Sequence, residues 1–106
     1  MSKFLIKGSY SPEGVKGLLK EGGSSRRAVV EKMVNNLSGK LEGLYYALGE
    51  TDVFGIVDVP NTASIAAISL AINSTGLVSI SVTALLTPEE IDGATKINVM
   101  YRPPTV

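Results

Sequence analysis

Apolar and polar side chains alternate along four segments of the chain. This period of two is typical of β-strands that turn one face to the core and the other to solvent. The four strands are predicted over residues 1–10, 41–48, 53–59 and 77–86. A further alternation predicts a short strand over residues 96–101.

Between the first two strands, apolar residues recur at helical spacing, and polar residues and glycines mark the helix ends. Ser11-Pro12-Glu13 is typical of a helix start, with a hydroxyl N-cap followed by proline and an acid in the first turn. Gly22-Gly23 predicts the end of this helix. We expect a second helix to follow, with Ser24 or Ser25 as its N-cap and Gly39 as its stop signal.

A third helix is predicted over residues 63–75, between Pro60-Asn61-Thr62 and Gly76. Thr87-Pro88-Glu89-Glu90 has the form of a capping box and predicts one short helical segment. The predicted order is therefore β-α-β-β-α-β, followed by a tail with a short helix and strand. This is the order of the ferredoxin-like α+β sandwich, in which helices cover one face of an antiparallel sheet.

The second face of this sheet would be apolar as well. Leu5 alternates with Phe4 and Ile6, and strands that are apolar on both faces are usually buried on both sides. We therefore expect a homo-oligomer, a dimer or higher, whose sheets pack against each other. A small-ligand cavity lined by the open sheet is the alternative, and a dimer could enclose one. In the strand over residues 41–48 the two alternating sets are Leu41, Tyr45, Ala47 and Leu44, Tyr46, Leu48.

Composition restricts the available chemistry. The 106 residues include no histidine, cysteine or tryptophan, which excludes thiol nucleophiles, disulfides, imidazole catalysis and sites for soft metals. Carboxylates, lysine, arginine, tyrosine and hydroxyl groups remain. No carboxylate cluster has a spacing that requires a divalent metal, so we expect neither a metal nor a cofactor.

The formal net charge of zero conceals an uneven distribution. Bases predominate up to residue 40, whereas residues 41–95 carry acids and no base. We interpret this as two differently charged faces of one domain. The basic part lacks the aromatic–basic runs of RNA-binding modules, and no apolar stretch is long enough to span a bilayer. We therefore expect no nucleic-acid or membrane partner, and a cytoplasmic location.

Three segments together resemble the GYD domain family of small bacterial and archaeal proteins. They are the run from Tyr10 to Leu19, the Gly22-Gly23-Ser24 break with Arg26 and Arg27, and the turn Gly49-Glu50-Thr51-Asp52-Val53. Thr51 stands where the family has the tyrosine of its Gly, Tyr and Asp turn. The resemblance implies a ferredoxin-like domain over residues 1–95, with residues 96–106 as an extended tail, and implies little about activity.

The candidate ligand site lies at the predicted break between the first two helices. A glycine pair that leads into a helix exposes backbone N–H groups, which favour an anion. Arg26 and Arg27 follow in the first turn, with Ser24 beside them and Lys16 on the preceding helix. We predict that these residues bind a small anion. The alternative is a kinked helix whose arginines are solvated or pair with acids of a neighbouring subunit.

Catalysis has weaker support in the sequence. Asp52 and Tyr45 are the candidates for a general base, and without histidine either would need a strongly shifted pKa. A turn aspartate more commonly bonds to its own backbone, and tyrosines are more often core or interface residues. We favour a non-catalytic oligomer that binds a small anionic ligand or a protein partner. The alternative is a cofactor-free oxygenase or isomerase acting on a small hydrophobic or carbonyl substrate in a dimer cavity.

Overall fold

The computed structural model describes residues 2–105 of the chain. Its strands are β1 (Ser2–Tyr10), β2 (Lys40–Tyr46), β3 (Val53–Val59) and β4 (Val78–Leu85). Its helices are α1 (Pro12–Glu21), α2 (Gly23–Asn36), α3 (Thr62–Asn73) and α4 (Pro88–Ala94). All four strands predicted within residues 1–86 are therefore present, with ends shifted by at most two residues.

The four strands form one sheet in the order β2-β3-β1-β4, and every neighbouring pair is antiparallel. Helices α1, α2 and α3 pack on this sheet or on each other, and α2 and α3 lie over opposite halves of it. The architecture is α+β and is consistent with the predicted ferredoxin-like arrangement.

The core lies between the sheet and the helices α2 and α3. Seven apolar side chains are buried there, and half-buried residues such as Met33 and Leu41 pack around them. The strands β1 and β3 present alternate residues to this core, as their period of two predicts. The buried residues are Phe4, Ile6, Val34, Val57, Val59, Ile65 and Ile68.

Most of the predicted helix ends are confirmed. The side chains of Ser11, Asn61 and Thr87 each cap a helix by accepting a hydrogen bond from a first-turn N–H. The prediction that Ser24 or Ser25 caps α2 is wrong, because Gly22 is the N-cap and both serines lie within the first turn. Gly39 takes part in the end of α2: its N–H donates to Val34 O at 3.0 Å, and the left-handed residue of this C-terminal cap is Ser38, with φ 60°.

A β-bulge in β2 changes which of its side chains face the helices. The pairing of β2 with β3 shifts between Leu41 and Gly43. The extra residue places Leu41, Leu44 and Tyr46 on the helical side and Tyr45 on the open face. The predicted grouping of Leu41 with Tyr45 is therefore wrong.

The strand predicted over residues 96–101 is also wrong. A turn follows α4, and residues 98–105 have no regular secondary structure. Alternation alone does not make a strand, which needs a neighbour to accept its backbone hydrogen bonds, and none of the described strands pairs with this segment. All residues from 88 to 105 are exposed.

Candidate ligand-binding site

The break between α1 and α2 consists of a single residue, Gly22. Its N–H donates to Leu18 O at 2.7 Å and closes α1, while its carbonyl accepts from Arg26 N at 3.3 Å and opens α2. Gly22 has φ 86° and ψ 161°, a conformation that is open essentially to glycine alone. The glycine pair predicted to end α1 therefore also sets where α2 begins.

An apolar cavity of about 90 Å³ lies between α2 and the sheet. Its walls come from α2, from the end of α3 and from all four strands. Three side chains with polar groups also line it: Tyr10, Arg26 and Tyr46. The apolar lining includes Val30, Met33, Leu44, Val57, Ile72 and Ile80.

Tyr46 connects the cavity to the helix break. Its hydroxyl donates to Gly23 O at 3.2 Å. A Cβ on Gly23 would lie 3.1 Å from the Tyr46 ring, so the ring packs closely against the backbone at this glycine. The bulge in β2 is what turns Tyr46 toward this side of the sheet.

Among the titratable side chains that line the cavity, Tyr10 has a clearly shifted pKa. Burial raises the pKa of its hydroxyl, and the neighbouring Tyr46 raises it further. The charge of Arg26 acts in the opposite direction on the same pKa. The three side chains are therefore close enough to influence one another, and the Tyr10 hydroxyl stays protonated at neutral pH.

Arg26 stands between this cavity and a neighbouring cleft formed with α1. Its Nη1 atom lies 3.4 Å from Glu21 Oε2, and about one third of the side chain is exposed. Ion pairs at such exposed positions contribute little to stability. The guanidinium can therefore exchange this partner for another anion.

Asp52 has a structural position in the connection between β2 and β3. Its Oδ2 accepts a hydrogen bond from Tyr10 N at 2.8 Å, and its own N–H donates to Gly8 O at 2.9 Å. Its carbonyl accepts from Ala47 N at 2.8 Å. Asp52 thus fastens the end of β1 and positions the backbone of Tyr10.

The other predicted site residues do not line the cavity. Ser24 and Arg27 border a shallow groove beside β2, and Arg27 also lies near Tyr45 in a second groove. Lys16 is exposed on α1, with its Nζ 3.9 Å from Glu13 Oε1. Tyr45 is 71% exposed on the open face of the sheet. Of the six candidates, only Arg26 contributes to the cavity.

The sequence predicts that Tyr10 and Tyr46 are core or interface aromatics, and the structure places both beside Arg26 at the cavity. The position of Tyr10 could be inferred, since it shares its face of β1 with Phe4 and Ile6. That of Tyr46 could not, because it depends on the bulge.

Two further properties concern residues 2–105. They contain no group of three or more acidic side chains placed to hold a metal ion. None of their helices combines the length and the apolar character needed to span a bilayer.

Comparison with known proteins gives a family and no individual relative. No curated protein matches the chain. The sequence model of the GYD domain matches residues 4–95, which include every strand and helix except the first two residues of β1. The chain therefore belongs to the GYD domain family.

Proposed function

We propose that this protein binds a small amphipathic anion, with an apolar group in the cavity and a carboxylate at Arg26. The observation that carries the proposal is the composition of the cavity wall, which is apolar except for one arginine and two tyrosines. Such a combination of an apolar pocket with a few convergent polar groups is typical of small-molecule sites.

The size of the cavity limits the ligand. An apolar cavity of about 150 Å³ holds a benzene molecule, so a volume of about 90 Å³ holds a smaller apolar group. It accommodates an apolar group of about four carbon atoms, with the anionic group at the polar part of the wall. Short-chain and branched-chain carboxylic acids are therefore the class we propose.

The electrostatics favour a carboxylate at this position. Arg26 supplies a guanidinium, whose planar pair of N–H donors matches the geometry of a carboxylate. The raised pKa of Tyr10 keeps its hydroxyl as a hydrogen-bond donor. Glu21 is the competing anion, and its contact with Arg26 at 3.4 Å is a weak one at the surface.

The same features favour binding over the enzymatic alternative. The carboxylate of Asp52 is engaged with the backbone of Tyr10. A phenol whose pKa is raised is a poor candidate for a general base at neutral pH. Tyr45 lies on the opposite face of the sheet from the cavity.

Calorimetry with the intact protein tests this proposal. We expect acids of four or five carbons to bind, and their primary amides to bind at least about tenfold more weakly, because the charge-assisted hydrogen bond is lost. Arg26→Gln should weaken binding of the acids by about tenfold or more. The matched control is Arg27→Gln, which removes the same charge one residue away and should leave the affinity unchanged.

Three outcomes would contradict the proposed site. The first is that no acid of this size binds. The second is that Arg27→Gln weakens binding as much as Arg26→Gln. The third is that the amides bind as tightly as the acids.

We also propose that the protein is a homo-oligomer in which the open faces of two sheets pack together. Leu5, Ile56 and Phe54 occupy the centre of this face, half-buried and with no helix over them. Tyr45, paired with Phe54, extends the apolar surface toward β2. A second copy is the occupant we propose, because it offers an identical apolar surface, and a two-fold axis would bring the charged groups at the two ends of the face together.

Those charges lie at opposite ends of β1. At one end Lys3 bonds both Glu42 and Asp58, and Lys40 is the cross-strand partner of Asp58, so this end is neutral overall; at the other end Lys7 is exposed. A two-fold arrangement would bring Lys7 of each copy toward the carboxylates of Glu42 and Asp58 in the other.

Sedimentation velocity tests the self-association. We expect the parent protein to sediment as a dimer or higher oligomer, and Ile56→Glu to dissociate it. Ser25→Glu adds the same charge on the exposed side of α2 and serves as the control. A parent protein that is monomeric at all accessible concentrations would contradict the proposal. An Ile56→Glu variant that sediments as the same oligomer as the parent would contradict it as well.

A further inference from the structure

The C-terminal segment and the outer edge of β4 are complementary surfaces that a single copy leaves unpaired. We propose that residues 97–101 of one copy add as a strand to the β4 edge of a second copy. The inference rests on the proposed self-association and identifies a contact additional to the packing of the open faces.

The segment extends away from the rest of its own chain. α4 makes hardly any contact with the other elements, and Ile91 is 48% exposed. The radius of gyration is 17.0 Å, whereas a compact chain of this length has about 13 Å. The alternating apolar residues of the segment, Ile97, Val99 and Tyr101, are each about 70% exposed. The segment therefore has the pattern of a strand and lacks the neighbour that a strand needs.

The edge of β4 has free backbone groups over a matching length. Ile80 N donates to Asn73 Oδ1 at 2.7 Å, and Ile80 O accepts from Asn73 Nδ2 at 3.3 Å, so the backbone groups of Ile80 point away from β1. By the period of two, those of Val82 and Ala84 point the same way. Beyond Asn73, which covers the edge at Ile80, the edge is open from Val82 to Leu86.

This edge also lacks the features that normally protect an edge strand. Its residues carry no charge and include no proline between 78 and 86. Leu86 is 60% exposed, and Leu70 is 73% exposed on the side of α3 that carries Asn73. An added strand could cover these apolar side chains while it satisfies the backbone of β4.

Charge complementarity identifies a second copy as the source of that strand. Residues 97–101 are uncharged, and a base flanks them on each side, Lys96 and Arg102. The edge is uncharged too, and Glu89 and Glu90 follow its C-terminal end. Whether the strands pair parallel or antiparallel, one of the two bases comes beside this acidic pair. The contact is reciprocal, since each copy carries both the segment and the edge.

The test uses full-length protein with substitutions on each side of the contact. Ile97→Asp combined with Val99→Asp places charge in the apolar set of the segment, and Asn98→Asp is the control on the alternate set. Ala84→Pro removes an outward N–H that no described strand accepts, a position where proline is tolerated in edge strands. Thermal unfolding of each variant checks that it folds.

Sedimentation and amide hydrogen exchange are the two measurements. We expect the parent amides of Val82 and Ala84 to be protected. The Ile97/Val99 double variant should abolish this protection and raise the dissociation constant of the assembly by about tenfold or more. Ala84→Pro should weaken assembly similarly, and Asn98→Asp should change neither quantity. Mixing the double variant with Ala84→Pro should restore part of the assembly, because one intact edge then meets one intact segment.

Each remaining outcome would overturn the inference. If the double variant loses amide protection without any change in assembly, the segment folds back on its own edge. If neither quantity changes, the segment does not bind the edge. If Ile56→Glu dissociates the protein and the segment variants do not, the open-face proposal stands and the strand addition is wrong. A parent protein that is always monomeric contradicts both.

Discussion

Replacement of Gly14 by alanine should destabilise the protein, because this residue of α1 touches the backbone at the start of β4. A Cβ built on Gly14 lies 2.2 Å from Leu77 O and 3.1 Å from the Tyr10 ring. Contacts below 3.0 Å essentially never occur for real Cβ atoms, so α1 and β4 would have to move apart by about 1 Å. The atoms that must move are backbone, which cannot rotate away.

The magnitude follows from what this movement disrupts. Ser11 N and Ser11 Oγ both donate to Leu77 O, at 2.9 and 3.2 Å, and the displacement lengthens both bonds. Overpacking costs about 1–3 kcal/mol, and each weakened hydrogen bond adds up to about 1 kcal/mol. The better helix propensity of alanine returns about 1 kcal/mol. The expected net loss is about 2–3 kcal/mol.

Gly17→Ala is the matched control on the same helix. A Cβ on Gly17 meets no atom within 4 Å, so the substitution should stabilise the protein by about 0.5–1 kcal/mol. Thermal unfolding at one protein concentration should separate the two variants by about 10 °C or more. Equal midpoints, or a Gly14→Ala variant as stable as the parent, would refute the close approach of α1 and β4.

Substitutions at three further positions test the site and the C-terminal helix. Asp52→Ala should lower the free energy of unfolding in urea by about 1–3 kcal/mol, because the hydrogen bond from Tyr10 N is lost. Asp52→Asn keeps an acceptor oxygen and should lower it by less. Equal losses for the two variants would contradict the role of that bond. The pKa of Tyr10 is raised in the folded state, so its protonated hydroxyl contributes to stability. This contribution is fully present at pH values below the ordinary tyrosine pKa of about 10, and it is lost as the pH rises through the folded-state pKa. Tyr10→Phe should flatten that alkaline decline, and an unchanged slope would exclude Tyr10 as its source. Thr87→Ala removes the N-cap of α4 and should destabilise this helix by about 0.5–2 kcal/mol. We expect faster amide exchange within α4 and an unchanged midpoint of global unfolding. A lowered midpoint would show that α4 is coupled to the core.

Local rules explain why the architecture could be predicted. Alternation identified the four strands, and the caps at Ser11, Asn61 and Thr87 are short-range devices that depend on three or four neighbouring residues. The strand predicted over residues 96–101 failed for the opposite reason. It has the local pattern, but a strand is completed by a neighbour, and none of the strands described in residues 2–105 pairs with this segment.

The candidate site was only partly predictable, because tertiary geometry decides it. Arg26 was identified from its place after the glycine pair, and the structure places it at the cavity. Arg27 follows directly, yet the rotation of about 100° per residue along α2 directs it to the groove beside β2. Tyr46 reaches the cavity because of one bulged residue, and a pairing shift of this kind leaves no trace in the alternation.

Gly22 determines how much the cavity can adjust to a ligand. Since one residue both closes α1 and opens α2, there is no slack linker along which α2 could slide toward or away from the sheet. The distance of α2 from the strands, and with it the width of the cavity, is therefore set before any ligand arrives. A site of this kind loses little conformational entropy on binding, and it discriminates among ligands by size. If the cavity holds the proposed acids, adding a few residues at Gly22 should let it accept larger ones without altering any residue of its wall.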